Sequence, residues 1–473
     1  MGKKDGFEKV LSKKDVFVLA FGAMIGWGWV VLSGEWILKA GAIGAITAFI
    51  IGGIMVLFVG LTYAELTAAM PKCGGEHVFS RRALGDNASF ICTWSIILGY
   101  ISVVAFEAVA FPTVLQYLLP GYLKGYLYTV AGFDVYASWL FVGIVSSIAI
   151  AVVNYLGVKN AAKLQGLLTV IIALIGLSLV GGAVFNGEVS NMQPLIKDGI
   201  SGIISVAVMT PFMYVGFDVI PQAAEEMNIP AKKIGQILLL SVVMAVVWYV
   251  IIIFGVSLAM DSASMAASEL VTADAMARVF FNSSIASKIL ILGGIAGILT
   301  SWNSFYVGGS RAIYSMAESG MLPKFLAKLH PKYKTPSNAI ILVGVLSSLA
   351  PLLGRSMLVW LVNAGGLTIV VAYLVVVISF LTLRKKEPDM PRPYKVKHGK
   401  LVGTIAAIMC VIMTVMYMPG SPAALIWPYE WGIILGWVVL GVSFYVWAMV
   451  SEKSEWVAAK VQSIKDKKVI KEA

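Results

Sequence analysis

Read with a window of about 19 residues, the chain alternates long apolar stretches with short polar ones. The apolar runs cover residues 16–40, 41–70, 88–119, 136–158, 161–185, 202–224, 234–260, 285–317, 337–353, 358–383, 401–418 and 431–450. Each approaches or exceeds the roughly 20 residues that an α-helix needs to cross the hydrocarbon of a bilayer. The pattern predicts an all-α polytopic membrane protein with twelve transmembrane helices, numbered here as spans 1 to 12.

Composition agrees. Of 473 residues, 59% are hydrophobic and 13% charged, whereas a soluble domain carries about 25% charge. A soluble enzyme, a disordered chain and a fibrous one are therefore excluded. Lysines and arginines (36) outnumber acids (25), and their placement gives the excess its meaning. Thirty of the 36 fall in the N-terminal segment, the loops after spans 2, 4, 6, 8 and 10, and the C-terminal segment. Loops kept in the cytoplasm retain Lys and Arg, so both termini are predicted to be cytoplasmic. The excess is a topology signal, with no nucleic-acid partner implied. The lysine-rich start leads into span 1 without a small-residue cleavage site, which predicts an uncleaved first helix. Cys73, Cys92 and Cys410 are too scattered for a disulfide framework or a metal cage.

Two spans, five apart, carry helix-weakening residues. Span 1 holds Gly22, Gly26, Gly28 and Gly34 around the run Met24-Ile25-Gly26-Trp27-Gly28. Span 6 holds Pro211-Phe212-Met213-Tyr214-Val215-Gly216-Phe217-Asp218 and then Pro221. Glycine and proline loosen a helix, and backbone groups freed inside a bilayer need partners that lipid cannot supply. Paired breaks in the two halves of a transporter point to a midplane binding site. Close helix packing at the glycines is the other reading open at this point.

These residues resemble the amino acid-polyamine-organocation (APC) superfamily of permeases, in its amino acid permease branch, over nearly the whole chain. The segment Gly22-Ala23-Met24-Ile25-Gly26-Trp27-Gly28 is similar to the family's Gly-x-x-Ile-Gly-Ser-Gly signature. Tyr63-Ala64-Glu65-Leu66, Pro71 and Gly74-Gly75-Glu76-His77 resemble its span 2 exit. Tyr214-x-Gly216-Phe217-Asp218 with Ala224-Glu225-Glu226 and Pro230 resembles its span 6 break. Arg311, Tyr314, Met316-Ala317, Gly320, Leu322-Pro323 and Thr335-Pro336 resemble the loop after span 8, and Arg392-Pro393-Tyr394 the loop after span 10.

The resemblance implies a leucine-transporter-like core of five plus five inverted helices over residues 1–400, accessory spans 11 and 12 over 401–450, and a basic cytoplasmic tail over 451–473. It also implies alternating access around a midplane site. Half-helix N-termini present free N–H groups and positive dipole ends to a carboxylate, while unwound carbonyls receive an ammonium. The carboxylate of a zwitterion is accordingly assigned to the backbone of Ile25, Gly26, Trp27 and Gly28, beside Met24. The amino group is assigned to carbonyls near Phe212, Met213 and Val215, with Tyr214 and Gly216 in the same break. Phe212 falls at the family's gating aromatic, and Phe305 on span 8 is a second candidate wall. Trp27 replaces the family's small hydroxyl residue. Either the pocket is altered, or the indole turns to a neighbouring helix.

Charged groups deep in apolar runs are costly and tend to be functional. Asp218 is a candidate proton-coupling group, the alternative being a carboxylate that accepts from freed backbone amides. Glu107, five residues before Pro112 in span 3, is a second candidate able to attract an ammonium or hold a proton, and an outward-snorkelling or paired glutamate is the alternative. Glu65 reads as structural. The span 5 run at 169–174 lacks the lysine that some family members place there, and Lys163 lies nearer the cytoplasm. Thr300, Ser301, Asn303 and Ser304 offer oxygens for sodium, or else satisfy backbone carbonyls and interhelical bonds. Coupling is ordered as proton symport, exchange, then sodium symport.

No enzyme is expected. His77, His330 and His398 lie in separate loops, and no metal spacing, phosphate loop or nucleophile elbow occurs. A channel is the rival from another class, exposed by ionic currents that do not saturate. The expectation is a secondary active transporter of amino acids or related small amines in the cytoplasmic membrane. Its partners are the substrate, a proton or counter-substrate with sodium third, and membrane lipids; no cofactor and no metal is expected.

Overall fold

The computed structural model describes residues 7–119 and 121–472, and of residues 158–164 and 451–472 it describes the helical backbone alone. Lys3, Lys4, the side chains of Lys159 and Lys163 and those of the basic C-terminal segment lie outside the described residues.

The twelve predicted spans are helical. They are span 1 (Lys13–Ala40), span 2 (Ala42–Ala69), span 3 (Asp86–Leu118), span 4 (Ala137–Tyr155), span 5 (Val158–Asn186), span 6 (Gly199–Gln222) and span 7 (Ala231–Ala259). Span 8 (Ser284–Glu318), the shorter span 9 (Ser337–Leu353), span 10 (Met357–Lys386), span 11 (Gly399–Met416) and span 12 (Tyr429–Val450) follow. One detail departs from an all-helical reading. Strands β1 (Tyr126–Val130) and β2 (Phe133–Tyr136) pair antiparallel in the loop after span 3. The two residues between them, Ala131 and Gly132, both have positive φ, 47° and 79°, the backbone of the tight hairpin turn that matches strand twist.

Packing partners repeat after five spans. Span 3 lies against span 10 as span 8 lies against span 5, while spans 2 and 7 pack together, as do spans 3 and 8. Exchanging each of the first five spans with its counterpart five later leaves that scheme unchanged, as a five-plus-five repeat requires. Burial separates centre from rim. In spans 1, 3 and 6, 83% of the apolar window is buried inside the protein, against 28% in spans 4 and 11 and 17% in span 12. The spans that carry the breaks are therefore enclosed by protein, where freed backbone groups can find partners, and spans 4, 11 and 12 are the least enclosed. Short helices cover both ends of the bundle: Glu76–Leu84 after span 2 at the end where span 1 begins, named the inner end for reference, and Ser262–Ala267 with Val271–Val279 after span 7 at the opposite, outer end.

Candidate substrate site

Span 1 is helical over Lys13–Met24, opens at residues 25–27 and resumes at Gly28. Span 6 is helical over Gly199–Ala207 and Thr210–Tyr214, opens at residues 215–218 and resumes over Val219–Gln222. Gly216 has φ +137°, open only to glycine at little cost. A Cβ there would stand 2.8 Å from the Cβ of Ala23 and 3.1 Å from the amide of Met24. The span 6 break thus crosses directly over the end of the first half of span 1, and the glycine permits the approach.

Each break leaves helix-end amides and carbonyls without intrahelical partners, and neighbouring side chains take up some of them. Tyr249 of span 7 donates its hydroxyl to the Met24 carbonyl at 2.8 Å. The Trp29 indole donates to the Ile25 carbonyl at 3.2 Å. Asp218 accepts from the Gly216 amide at 2.8 Å and from the Tyr373 hydroxyl of span 10 at 3.2 Å, so it holds the span 6 break in shape.

Between the breaks lies a cavity of about 20 Å³. Its wall takes Met24, Gly26, Trp27 and Gly28 from span 1, Phe212, Met213 and Val215 from span 6, Ser301 and Phe305 from span 8, and Glu107 from span 3. Ile25, Tyr214 and Gly216 belong to the breaks without lining the cavity; Tyr214 turns away and donates to the Phe49 carbonyl at 2.9 Å. Such a volume holds about one water, so the chain is drawn in around its centre. At the outer end the Thr272 hydroxyl donates to the Val30 carbonyl at 2.6 Å. Beside it, Val271 fills the notch at Gly34, where a Cβ would come within 2.4 Å of the valine side chain.

Glu107 is the one charged side chain in this wall and is 2% exposed. The Ser301 hydroxyl donates to its Oε1, while Oε2 has no partner among the described residues. A Cβ at Gly26 would meet Ser301 Oγ at 2.6 Å and Glu107 Oε1 at 3.5 Å. The acid therefore sits against the open backbone of span 1, where a cationic group held between the breaks would meet it.

Trp27 is fully buried, and its ring lies on span 8, where a Cβ at Gly294 would fall 1.8 Å from it. Its indole N–H has no partner among the described residues. The side chain is turned to the neighbouring helix and presents only part of itself to the cavity. Gly297 plays a related part, since a Cβ there would stand 2.8 Å from the Gly26 carbonyl oxygen.

The hydroxyls of span 8 are engaged by backbone. Thr300 donates to the Gly22 carbonyl at 3.1 Å, and Ser304 to the Leu19 carbonyl at 3.0 Å. Gln165 of span 5 donates to Ser304 Oγ at 2.5 Å and accepts from the Asn303 amide at 2.6 Å. Sequence reasoning passed over Gln165, although it is the one amide side chain in residues 164–185. It also missed Tyr249 and Tyr373, for which an apolar run rich in aromatics gives no signal. Glu65 is structural in its geometry. It pairs with Arg384 at 2.5 Å and Arg392 at 3.0 Å, and accepts from the Val396 amide at 2.7 Å, tying span 2 to the loop after span 10.

A sequence profile of the amino acid permease family matches residues 11–447. The chain is similar to a branched-chain amino acid permease of Bacillus subtilis (strain 168), 27% identical over 458 residues, 94% of this chain and 91% of the relative. It is similar to a methylthioribose transporter of the same organism, 26% identical over 452 residues and 94% of each chain. A lysine-specific permease of Escherichia coli (strain K12) is 24% identical over 437 residues, 86% of each. The matched region contains both breaks and every wall of the cavity between them, and the chain belongs to the amino acid permease family.

Proposed function

We propose that the chain is a secondary active transporter that carries a small neutral amino acid or a related amine across the cytoplasmic membrane by alternating access, with both termini in the cytoplasm. The observation that carries this reading is the meeting of two interrupted helices around a closed cavity with a single acid in its wall. The Ile25 amide donates to the Phe21 carbonyl at 3.0 Å, which leaves the amides of Gly26, Trp27 and Gly28 to suit a carboxylate, and Glu107 suits the ammonium. The rest of the wall, with Phe106, Val103, Phe212, Met213 and Phe305, favours an apolar side chain on the substrate. That preference is in keeping with the branched-chain relative's name.

For coupling, proton symport or exchange is preferred to sodium symport. The Thr300, Ser304 and Gln165 network supports that order, because these hydroxyls already bond to the Gly22 and Leu19 carbonyls and to Gln165, although Asn303 Oδ1 has no partner among the described residues. Asp218 and Glu107 are the proposed proton-responsive acids. The test is uptake of labelled amino acids and amines by the purified protein in liposomes, under separately imposed pH and sodium gradients. Saturable uptake that Gly26→Leu abolishes without preventing insertion is expected. No uptake across a broad panel, or non-saturating ionic current, would defeat the transporter reading.

A further inference from the structure

A second buried polar cluster lies toward the inner end, among spans 2, 3, 6 and 10. Glu76 starts the helix Glu76–Leu84 directly after Gly75, whose φ is +36° and whose Cβ would stand 2.8 Å from the Cβ of Pro221. The turn is pressed against the inner half of span 6, and the glutamate points into the bundle with 0% exposure. One carboxylate oxygen accepts from the Gln222 side-chain amide. The other oxygen lies beside the buried Tyr63 hydroxyl, and the buried Tyr100 hydroxyl lies beside Gln222 and Asp218, none of these within good hydrogen-bond geometry.

The titratable groups facing Glu76 are Tyr63 of span 2, Cys92 and Tyr100 of span 3, Asp218 of span 6 and Tyr373 of span 10. None is a cation, and no lysine or arginine pairs with Glu76 or Asp218 among the described residues. Burial pushes the Glu76 carboxyl well above the ordinary carboxylate range, and the Asp218 carboxylate adds to the effect. Geometry links the two acids: Gln222, which donates to Glu76, stands four residues after Asp218 on span 6, and Tyr373, which donates to Asp218, packs its ring on Tyr63 at 5.7 Å; two acids so linked without a cation resist ionising at once.

We propose that Glu76 and Asp218 together bind one exchangeable proton, at a site separate from the substrate cavity, and that opening of the inner end releases it. The inference rests on the transport reading above. Inner opening must part the Glu76 turn from Gln222 and Pro221. Glu76 then gains water and Asp218 loses its acidic neighbour, the one carboxyl O–H bond of the pair breaks, and the proton passes to inner water, leaving that group a carboxylate like its partner. Reclosing takes a proton up again.

The experiment uses the full chain in liposomes loaded with a pH-sensitive dye, and the labelled amino acid with the highest uptake in the panel. An inward gradient of about one pH unit sustains at most about tenfold accumulation for one proton per solute. Glu76→Gln is expected to retain solute exchange at equal pH while losing both pH-driven accumulation and internal acidification. Glu76→Asp is expected to restore both in part. Wild-type accumulation and acidification in Glu76→Gln would overturn the proposal, as would wild-type exchange that moves no protons or is driven by sodium alone. Proton binding is also read without transport, as the infrared band of a protonated carboxyl in detergent-solubilised wild type near neutral pH. That band is expected to lose intensity in Glu76→Gln, the part due to Glu107 remaining; no loss overturns the proton site, whereas failure of wild-type solute exchange with that loss present overturns the transport reading alone.

Discussion

Replacing Gly26 with alanine adds one methyl group where span 1 is open. The new Cβ would lie 2.6 Å from Ser301 Oγ and 2.7 Å from Ser301 Cβ, well inside the carbon contact distance of about 3.5–4.0 Å. Ser301 has little freedom to retreat, because it sits within span 8 with its hydroxyl shared between Glu107 and the Gly297 carbonyl at 2.9 Å. Overpacking of this kind costs about 1–3 kcal/mol, which disfavours the closed state by roughly 5- to 150-fold. A carrier must pass through that state in every cycle, so initial uptake by Gly26→Ala is expected to fall by about the same factor. Gly28→Ala supplies the contrast. Its Cβ would meet Met213 Sδ at 2.8 Å, near the end of a flexible side chain that can swing aside, and its loss is expected to be several-fold smaller. Initial rates in liposomes, normalised to inserted protein, measure both. Gly26→Ala within about twofold of wild type, or Gly28→Ala as the worse of the two, would refute the packing argument.

Three further outcomes are expected. Gly294→Ala collides with the Trp27 ring at 1.8 Å and should depress both uptake and melting temperature in detergent; adding Trp27→Ser should recover part of each, and no recovery would show the indole is not the obstacle. Arg311→Leu leaves Glu226, its ion-pair partner at 2.7 Å, buried without a counter-charge; breaking such a pair costs about 3–5 kcal/mol, visible as a large drop in melting temperature. His77 is held neutral, its pKa pulled down to about 4 by burial and then by Arg81, whereas an unfolded histidine titrates near 6.5. The unfolded chain therefore takes its proton first as pH falls, so stability is lost from about pH 6.5 down to about pH 4, by about 3 kcal/mol in all. Melting temperatures of His77→Gln across that range should fall less steeply than those of wild type, and parallel curves would exclude the histidine as the cause.

The number of spans, their approximate ends and the two breaks were legible along the chain, because lipid demands uninterrupted apolar length and glycine and proline act on the backbone where they stand. The tight hairpin of residues 126–136 lacked the usual Asn-Gly or Asp-Gly turn, since Ala131-Gly132 occupies it. Which break residues line the cavity depends on how each half-helix is rotated against its neighbours, so Met24 and Phe212 face it while Ile25 and Tyr214 do not. The two readings of Trp27 differ only by a contact with Gly294, far along the chain. Glu76 stands in a polar loop by sequence, and only the fit of the Gly75 turn against Pro221 sends its carboxyl inward. Local chemistry fixes where a helix starts, ends or breaks, whereas the direction each side chain faces is set by contacts between segments that the linear order does not bring together.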